Sequence, residues 1–184
     1  MTREQALELL KQNLYNQNLI KHCLAVESAM KYLARHFNED EDRWGLVGLL
    51  HDIDYEKTKD NPSQHSIVGA QMLEGLGLDK ESCQAVRVHN EIHGLPLGTL
   101  MDKALFAVDP LTGLIVAATL VLPSKKITDL TTENVLNRFP EKSFAKGANR
   151  EIIKKCEELL GIKLEDFIDI TLKAMQTVNK DLGL

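Results

Sequence analysis

Residues 48–57 read GLLHDIDYEK, and this stretch decides how the fold is interpreted. An apolar run ends here in two adjacent polar residues, His51 and Asp52. A carboxylate at the end of a buried segment costs free energy unless it is paired or coordinates a cation. We therefore expect other parts of the chain to supply partners for His51 and Asp52.

Helical periodicity extends outward from this stretch in both directions. Upstream, Thr2 and Gln5 match a capping box, and an apolar stripe predicts a second helix from about 18 to 37. The stretch itself ends a helix predicted from about 41 to 54. Downstream, caps and helix breakers predict helices at about 64–76 with Ser63 as its N-cap, 79–93, 99–108, 110–123 after a break at Asp109-Pro110, 132–139, 148–160 and 164–182.

The predicted fold is all-α, because no convincing strand pattern of period two occurs in the sequence. We expect a compact helical bundle with additional C-terminal helices. The length of 184 residues suits one domain, with a core at about 15–122 and a C-terminal helical extension at about 130–184.

Composition narrows the classes of partner. The chain is 43% hydrophobic and 27% charged, with a net charge of −5, so neither nucleic acid nor an anionic membrane is expected as a partner. The start, MTREQALELLKQ, lacks the apolar core of a signal peptide, and the apolar window 111–122 is shorter than the roughly 20 residues that span a bilayer. Three scattered cysteines fit a reducing compartment, so a cytoplasmic location is expected.

Histidines and carboxylates recur at helix ends and on apolar stripes. One such residue alone is more often a core or boundary residue than a ligand, whereas a set on successive helices predicts a shared cation. Imidazole and carboxylate ligands suit zinc, iron or manganese. Thr112, just after Asp109, either supports the ligands or lets the helices pack closely, and packing is favoured. His93 is an alternative or additional ligand to His89, and the candidate set is His22, His51, Asp52, His65, His89 and Asp109.

These residues resemble a known signature. His22, His51-Asp52 and Asp109 are similar to the H…HD…D pattern of the HD-domain metal-dependent phosphohydrolase superfamily, which is all-helical. His65, in HSIVGA, and His89, in AVRVHNEIHG, resemble the branch that splits diadenosine tetraphosphate symmetrically with two metals. The segments HDIDYEK, VDPLTGLIVAATLVLPSKK and KSFAKGANREII also resemble small, poorly characterised HD proteins, which imply no substrate.

The resemblance implies a ligand set and an activity. His22, His51, Asp52 and Asp109 would hold one divalent ion, and Asp52 would bridge to a second held by His65 and His89. The ion would be iron, manganese, nickel, zinc or magnesium, and a hydroxide that it activates would attack phosphorus in line. His51 and Asp52 would be the catalytic residues of a phosphohydrolase that cleaves a phosphoester or phosphoanhydride of a small metabolite, with a nucleotide favoured.

Two other function classes stay open, as does the oligomeric state. One is a non-catalytic helical module, regulatory or ligand-binding, that contains a metal. The other is a metal-free interaction domain, in which the six inward-placed polar residues would have no cation to bind.

Basic side chains are the candidates for substrate contact, although each alone is more often a solvated surface residue. Lys57 follows the HD pair, and Lys125 and Lys126 follow the break at Pro123-Ser124. Lys142, Lys146 and Arg150 cluster around Gly147, and arginine suits bidentate contact with phosphate. The predicted substrate-binding residues are Lys57, Lys125, Lys126 and Arg150.

Overall fold

Helices account for the architecture, and no strand occurs in the part of the chain that the computed structural model describes, residues 1–141 and 143–184. The predicted all-α fold is confirmed. The helices are α1 Arg3–Asn13, α2 Gln17–Phe37, α3 Glu41–Leu50, α4 Tyr55–Thr58, α5 Ile67–Gly75, α6 Lys80–Val88, α7 Leu100–Leu120, α8 Thr132–Arg138, α9 Arg150–Lys154, α10 Cys156–Leu160, α11 Leu164–Thr177 and α12 Asn179–Leu182.

Side-chain caps fix several helix starts. The predicted capping box at α1 is confirmed, since Thr2 accepts from the Gln5 amide and the Gln5 side chain accepts from the Thr2 amide. Asp79 caps α6 by accepting from the Ser82 amide, and α7 begins with a second capping box at Thr99. These caps satisfy amides that a helix leaves without intrahelical partners.

Two long helices, α2 and α7, form the centre of the bundle. They pack on each other, α3 packs on α2, and α6 packs on α7. From the C-terminal region, α11 packs on both central helices, α9 and α10 pack on α7, and α12 packs on α2. The division into a core and a C-terminal extension of one domain stays a prediction, although the two regions share these contacts.

The helices α2 and α3 approach closely at Gly48. A Cβ atom at this position would lie 2.8 Å from the Val26 carbonyl oxygen, so only glycine fits without movement of one helix. Val26 lies about one helical turn after His22 on α2, and Gly48 lies about one turn before His51 at the end of α3. The close packing therefore brings two candidate ligands towards each other.

Some predicted helix boundaries are wrong. Asp109-Pro110 does not divide two helices, because α7 continues through Pro110. A proline inside a helix removes one hydrogen bond and costs about 3 kcal/mol, but burial of Leu105, Val108 and Leu111 on both sides favours the continuous helix.

The segment between α3 and α5 also differs from the prediction. The helix ends at Leu50, and residues 51–54 form turns before the short α4. Ser63 is inside a 3₁₀ turn, Pro62–Gln64, so it is not the cap of the next helix. That position belongs to Ser66, whose φ is 72°.

The helix α7 is long and apolar enough, by length and composition, to cross a membrane. However, 61% of its most apolar window is buried inside the fold. It therefore has the surroundings of a core helix.

Candidate metal centre

Five segments bring the candidate ligands to one place. His22 comes from α2, His51 and Asp52 follow α3, and Asp109 comes from the middle of α7, while His65 precedes α5 and His89 follows α6. The His22 Nε2 atom lies 2.9 Å from Asp109 Oδ1 and 3.2 Å from His51 Nε2. His51 is completely buried, so this group of side chains reaches into the core.

The Asp52 carboxylate is the centre of the cluster. Its Oδ1 atom lies 3.4 Å from His51 Nε2, 3.2 Å from His65 Nε2 and 3.5 Å from His89 Nε2. Its Oδ2 atom lies 3.7 Å from His22 Nε2. One carboxylate thus contacts four imidazole rings, and its two oxygens face different parts of the cluster.

Two of the rings are oriented by the helices that they terminate. His51 Nδ1 donates to the Gly48 carbonyl at 2.9 Å, and His89 Nδ1 donates to the Val86 carbonyl at 2.7 Å. The last carbonyls of a helix lack intrahelical partners, so a histidine just past the end can satisfy one of them. In each neutral ring this leaves Nε2 with a lone pair that faces the cluster.

The other two rings are oriented by side chains outside the predicted set of six ligands. His65 Nδ1 donates to Asp54 Oδ1 at 2.9 Å, and the Thr112 hydroxyl lies 3.3 Å from His22 Nδ1. The Thr112 hydroxyl itself donates to the Asp109 carbonyl, so its oxygen accepts from His22. This contact agrees with the expected alternative, in which Thr112 supports a ligand, and not with the favoured role in packing alone.

Asp54 is buried and fully hydrogen bonded. Its Oδ2 atom accepts from the Ser66 amide at 2.9 Å and from the Gly69 amide at 2.8 Å. The same carboxylate therefore holds the His65 ring and caps the start of α5. Its position two residues after Asp52 was the available signal, because a second acid beside a ligand commonly orients a neighbouring histidine.

Two of the candidate ligands, His51 and His65, hold a proton more tightly than a free histidine does. Burial lowers the pKa of His51, but the Asp52 and Asp109 carboxylates raise it by a larger amount, so that the pKa is about 9. Burial also lowers the pKa of His65, whereas its contacts with Asp52 and Asp54 raise it to about 10. Both shifts arise because the carboxylates require a positive partner.

The two central carboxylates are anionic. Burial raises the pKa of Asp52, but the surrounding histidines lower it well below its usual range. Burial likewise raises the pKa of Asp109, and its contacts with His22 and His51 lower it by more. One buried and one partly buried anion, with imidazole nitrogens around them, form a site whose charge is balanced by cations, either protons or a metal ion.

The ligand set fits a divalent metal. Two groups each offer three ligand atoms within 4.8 Å of one another: His22, His51 and Asp109, and His51, Asp52 and His89. Every ring has its second nitrogen bonded outward, which is the arrangement that orients metal-binding histidines. His65, whose Nε2 atom lies 3.2 Å from Asp52 Oδ1, completes the set that the resemblance implied.

The positions of His89 and His93, the two alternative ligands, differ in the structure. His89 faces Asp52, whereas His93 Nε2 lies 2.8 Å from the His65 backbone carbonyl oxygen. His93 therefore supports the segment that carries His65 and does not face the cluster.

A cavity of about 140 Å³ opens onto the cluster. Part of its wall consists of His65, His89 and Asp109. Another part comes from the C-terminal region and includes Gly147 and Asn149. The volume suits a small group such as phosphate, placed directly against the candidate ligands.

The three predicted substrate-binding lysines lie away from the 140 Å³ cavity. Lys57 Nζ donates to Asn13 Oδ1 at 2.7 Å and thereby joins α4 to α1. Lys125 and Lys126 are exposed in the loop after α7. None of the three is among the described residues that line the 140 Å³ cavity, and their contact with substrate stays a prediction.

Arg150 is committed to the loop that precedes α9. Its guanidinium donates to the carbonyls of Phe139, Phe144, Ala145 and Ala148. Contact between Arg150 and phosphate would require these bonds to break. Lys142 lies outside the described residues.

Comparison with known families agrees with this geometry. The profile of the HD domain family matches residues 19–120, more than half of the chain. The chain belongs to the HD domain family. The match begins just before His22 and ends after Asp109, so it contains all six candidate ligands, whereas the wall formed by Gly147 and Asn149 lies beyond it.

Several known proteins are similar in sequence to parts of this HD domain. An uncharacterised protein of Methanocaldococcus jannaschii is 38% identical over 86 residues, which are 44% of this chain and 49% of that protein. Ribonuclease Y of Oleidesulfovibrio alaskensis is 29% identical over 143 residues, and Ribonuclease Y of Desulforudis audaxviator is 30% identical over 144. Each of these two alignments covers 75% of this chain and 27% of the relative, so the chain spans about a quarter of their length. No solved structure matches the chain significantly.

Proposed function

We propose that this HD domain is a metal-dependent phosphohydrolase that cleaves a phosphoester or phosphoanhydride of a small phosphorylated metabolite, with a nucleotide as the favoured class. The observation that carries the proposal is the convergence of four imidazole Nε2 atoms on Asp52 while every Nδ1 atom is bonded outward. Histidines that only stabilise the fold would not require all their free ring nitrogens to face one carboxylate and an adjoining cavity, whereas a metal site does.

The chemistry follows from this ligand set. A divalent cation lowers the pKa of bound water towards about 7 and neutralises charge on phosphoryl oxygens. Asp52 joins the two parts of the cluster, and Asp109 lies both in the cluster and in the wall of the 140 Å³ cavity. A phosphate in this cavity would therefore lie beside the ligands, with its leaving group directed towards the C-terminal wall.

The Ribonuclease Y relatives raise a second substrate class, because their name assigns them RNA. A net charge of −5 weighs against extended contact with a nucleic-acid backbone, which proteins bind mainly through basic side chains. We therefore favour a small metabolite, and a short RNA belongs in the test as the competing substrate.

The test compares metal content and turnover in the same preparations. Protein purified without a histidine tag is analysed for metals, then assayed with nucleotides, dinucleoside polyphosphates and a short RNA, with and without a chelator. We expect one or two metal ions per chain and chelator-sensitive hydrolysis of a small phosphate compound. The variants His51→Gln and Asp52→Asn should lose metal and activity, and His36→Gln, at an exposed site, should retain both.

Three results would contradict the proposal. Bound metal without turnover of any substrate would favour the non-catalytic metal-containing module. Cleavage confined to RNA would replace the small metabolite with a nucleic acid. Turnover that survives in Asp52→Asn would remove the reaction from this cluster.

A further inference from the structure

A second, larger cavity adjoins the one at the metal centre. Its volume is about 670 Å³, within the roughly 300–1,000 Å³ typical of ligand pockets. The 140 Å³ cavity, here called the inner cavity, and this outer cavity share three lining residues, Glu91, Gly147 and Asn149. A ligand whose phosphate lies in the inner cavity can therefore extend past Asn149 into the outer one.

The boundary between the two cavities is built from two segments that are distant in sequence. Asn149 Nδ2 donates to Glu91 Oε2 at 2.8 Å, which joins the start of α9 to the turn after α6. The Asn149 side chain also accepts from the amides of Glu151 and Ile152. Asn149 is thus fixed at both ends, and the passage between the cavities has a defined wall.

Arg150 holds the remaining wall in place. Its four bonds to backbone carbonyls hold Phe139 and residues 144–148, including Ala145, whose φ is 45°. This conformation is costly for an alanine and persists because the arginine satisfies the surrounding carbonyls. The outer cavity is therefore a formed feature of the C-terminal region.

The charges around the outer cavity favour an anion. Its lining includes three cationic side chains, Lys146, Arg150 and Lys154, and two anionic ones, in a chain whose net charge is −5. The anionic pair is partly satisfied, because Glu91 accepts from Asn149 and Glu151 lies 3.6 Å from Lys154. Lys146 and Lys154 are exposed and able to reach a bound ligand.

We infer that the outer cavity is a second anion-binding subsite, which binds the far end of an extended ligand through Lys146 and Lys154. The inference rests on the proposed function, because the near end of the ligand is the phosphate at the metal centre. The ligand then carries two anionic groups separated by a spacer. Since residues 146–154 lie outside the family match, the C-terminal region sets this preference.

The experiment measures equilibrium binding to the metal-loaded protein, so it does not depend on turnover. The probes are pentylphosphonate, with one anionic end, and pentane-1,5-diphosphonate, with the same spacer and two. We expect wild type to bind the diphosphonate about tenfold more tightly, as one additional partly desolvated ion pair would produce. The Lys146→Ala/Lys154→Ala variant should lose this preference while its affinity for pentylphosphonate stays within about twofold.

The matched control is Lys11→Ala/Lys180→Ala, which removes two exposed lysines from helices outside both cavities. It should keep the wild-type preference, since the same net charge is lost elsewhere. If wild type shows no preference, or both double variants lose it equally, the outer subsite is overturned while the proposed function stands. If wild type binds neither probe, the proposed function fails and the inference with it.

Discussion

The Asp54 carboxylate accepts a hydrogen bond from His65 Nδ1 at 2.9 Å and also caps α5 through the amides of Ser66 and Gly69. The orientation of a candidate metal ligand is therefore tied to the start of a helix. The backbone of Ser66 has a positive φ, which places His65 and α5 on either side of a sharp turn. Asp54 thus acts on the centre through His65 and is a positioning residue.

The variant Asp54→Asn tests this role. Asparagine has the same size but only one acceptor oxygen, so it cannot accept all three hydrogen bonds. We expect the affinity for one metal ion to fall about 10–100-fold, the usual effect of losing such an outer partner. Competition with a chelator of known affinity measures the change, and circular dichroism verifies that the helices persist.

The control for Asp54 is the next acid in the same stretch. Glu56 accepts from the amides of Tyr15 and Asn16 and does not contact the described ligands. Glu56→Gln should therefore leave metal affinity within about twofold of wild type. Equal loss of metal in both variants would mean that Asp54 acts only through net charge.

The helical class and the six candidate ligands were predictable from the sequence for a physical reason. Helical periodicity can be recognised from residues that are close in sequence, and polar residues that interrupt apolar stripes need partners. Capping residues such as Thr2 and Asp79 also act locally, so those helix starts were predicted correctly. Long-range packing, in contrast, determines that α7 continues through Pro110.

Which outer partner contacts which ligand was not predictable from local patterns. Asp54 was visible only as an additional acid, and its bond to His65 depends on a turn at Ser66 that no local preference favours. Arg150 has the chemistry of a phosphate ligand, yet the loop before α9 uses it to satisfy four carbonyls. Such roles depend on how distant segments fold against each other.

Gly48→Ala should destabilise the protein. The added Cβ would lie 2.8 Å from the Val26 carbonyl oxygen and 2.9 Å from its carbonyl carbon, so α2 and α3 would have to separate. Overpacking of this kind costs about 1–3 kcal/mol. Urea unfolding should show this loss, and metal affinity should fall too, because His22 and His51 would be moved apart.

Gly113→Ala is the matched substitution at a helical glycine with space. Among the described residues, no atom beyond those of its own helix turn and chain neighbours lies within 4 Å of the position that the added methyl group would take. Alanine should therefore stabilise the exposed site on α7 by about 0.5–1 kcal/mol. If both substitutions lowered stability equally, the close approach at Gly48 would not explain its effect.

Arg150→Lys should loosen the loop before α9. A lysine ammonium cannot reproduce four hydrogen bonds to carbonyls, and bonds from a charged donor contribute about 1.5–3 kcal/mol. We expect a loss of about 2 kcal/mol in unfolding free energy and faster proteolysis within residues 143–150. Arg35→Lys, at an exposed arginine paired with Glu41, should cost under about 1 kcal/mol.

The opposite pattern would restore the first interpretation of Arg150. If Arg150→Lys kept its stability and its resistance to protease but bound pentylphosphonate more weakly, the arginine would contact phosphate directly. The structure predicts a change in the loop first, because the guanidinium is already occupied.

The ion pair between Arg43 and Asp79 should make stability depend on pH. Arg43 holds the pKa of Asp79 below its usual range, and bonds from Ser82 add to this effect. A carboxylate with a lowered folded pKa contributes stability above its unfolded value, about 3.9, and loses it as the pH falls through the folded pKa. Since Asp79 is 48% exposed, the contribution is about 1 kcal/mol.

Asp79→Asn isolates this charge, because asparagine is also a good N-cap and keeps the start of α6. The difference in unfolding free energy between wild type and Asp79→Asn should be fully present at pH 7 and shrink below about pH 4. Asp60→Asn, at an exposed turn, should show little difference at any pH. A difference for Asp79→Asn that stayed constant or grew in acid would show that the carboxylate charge is not the source of the stability.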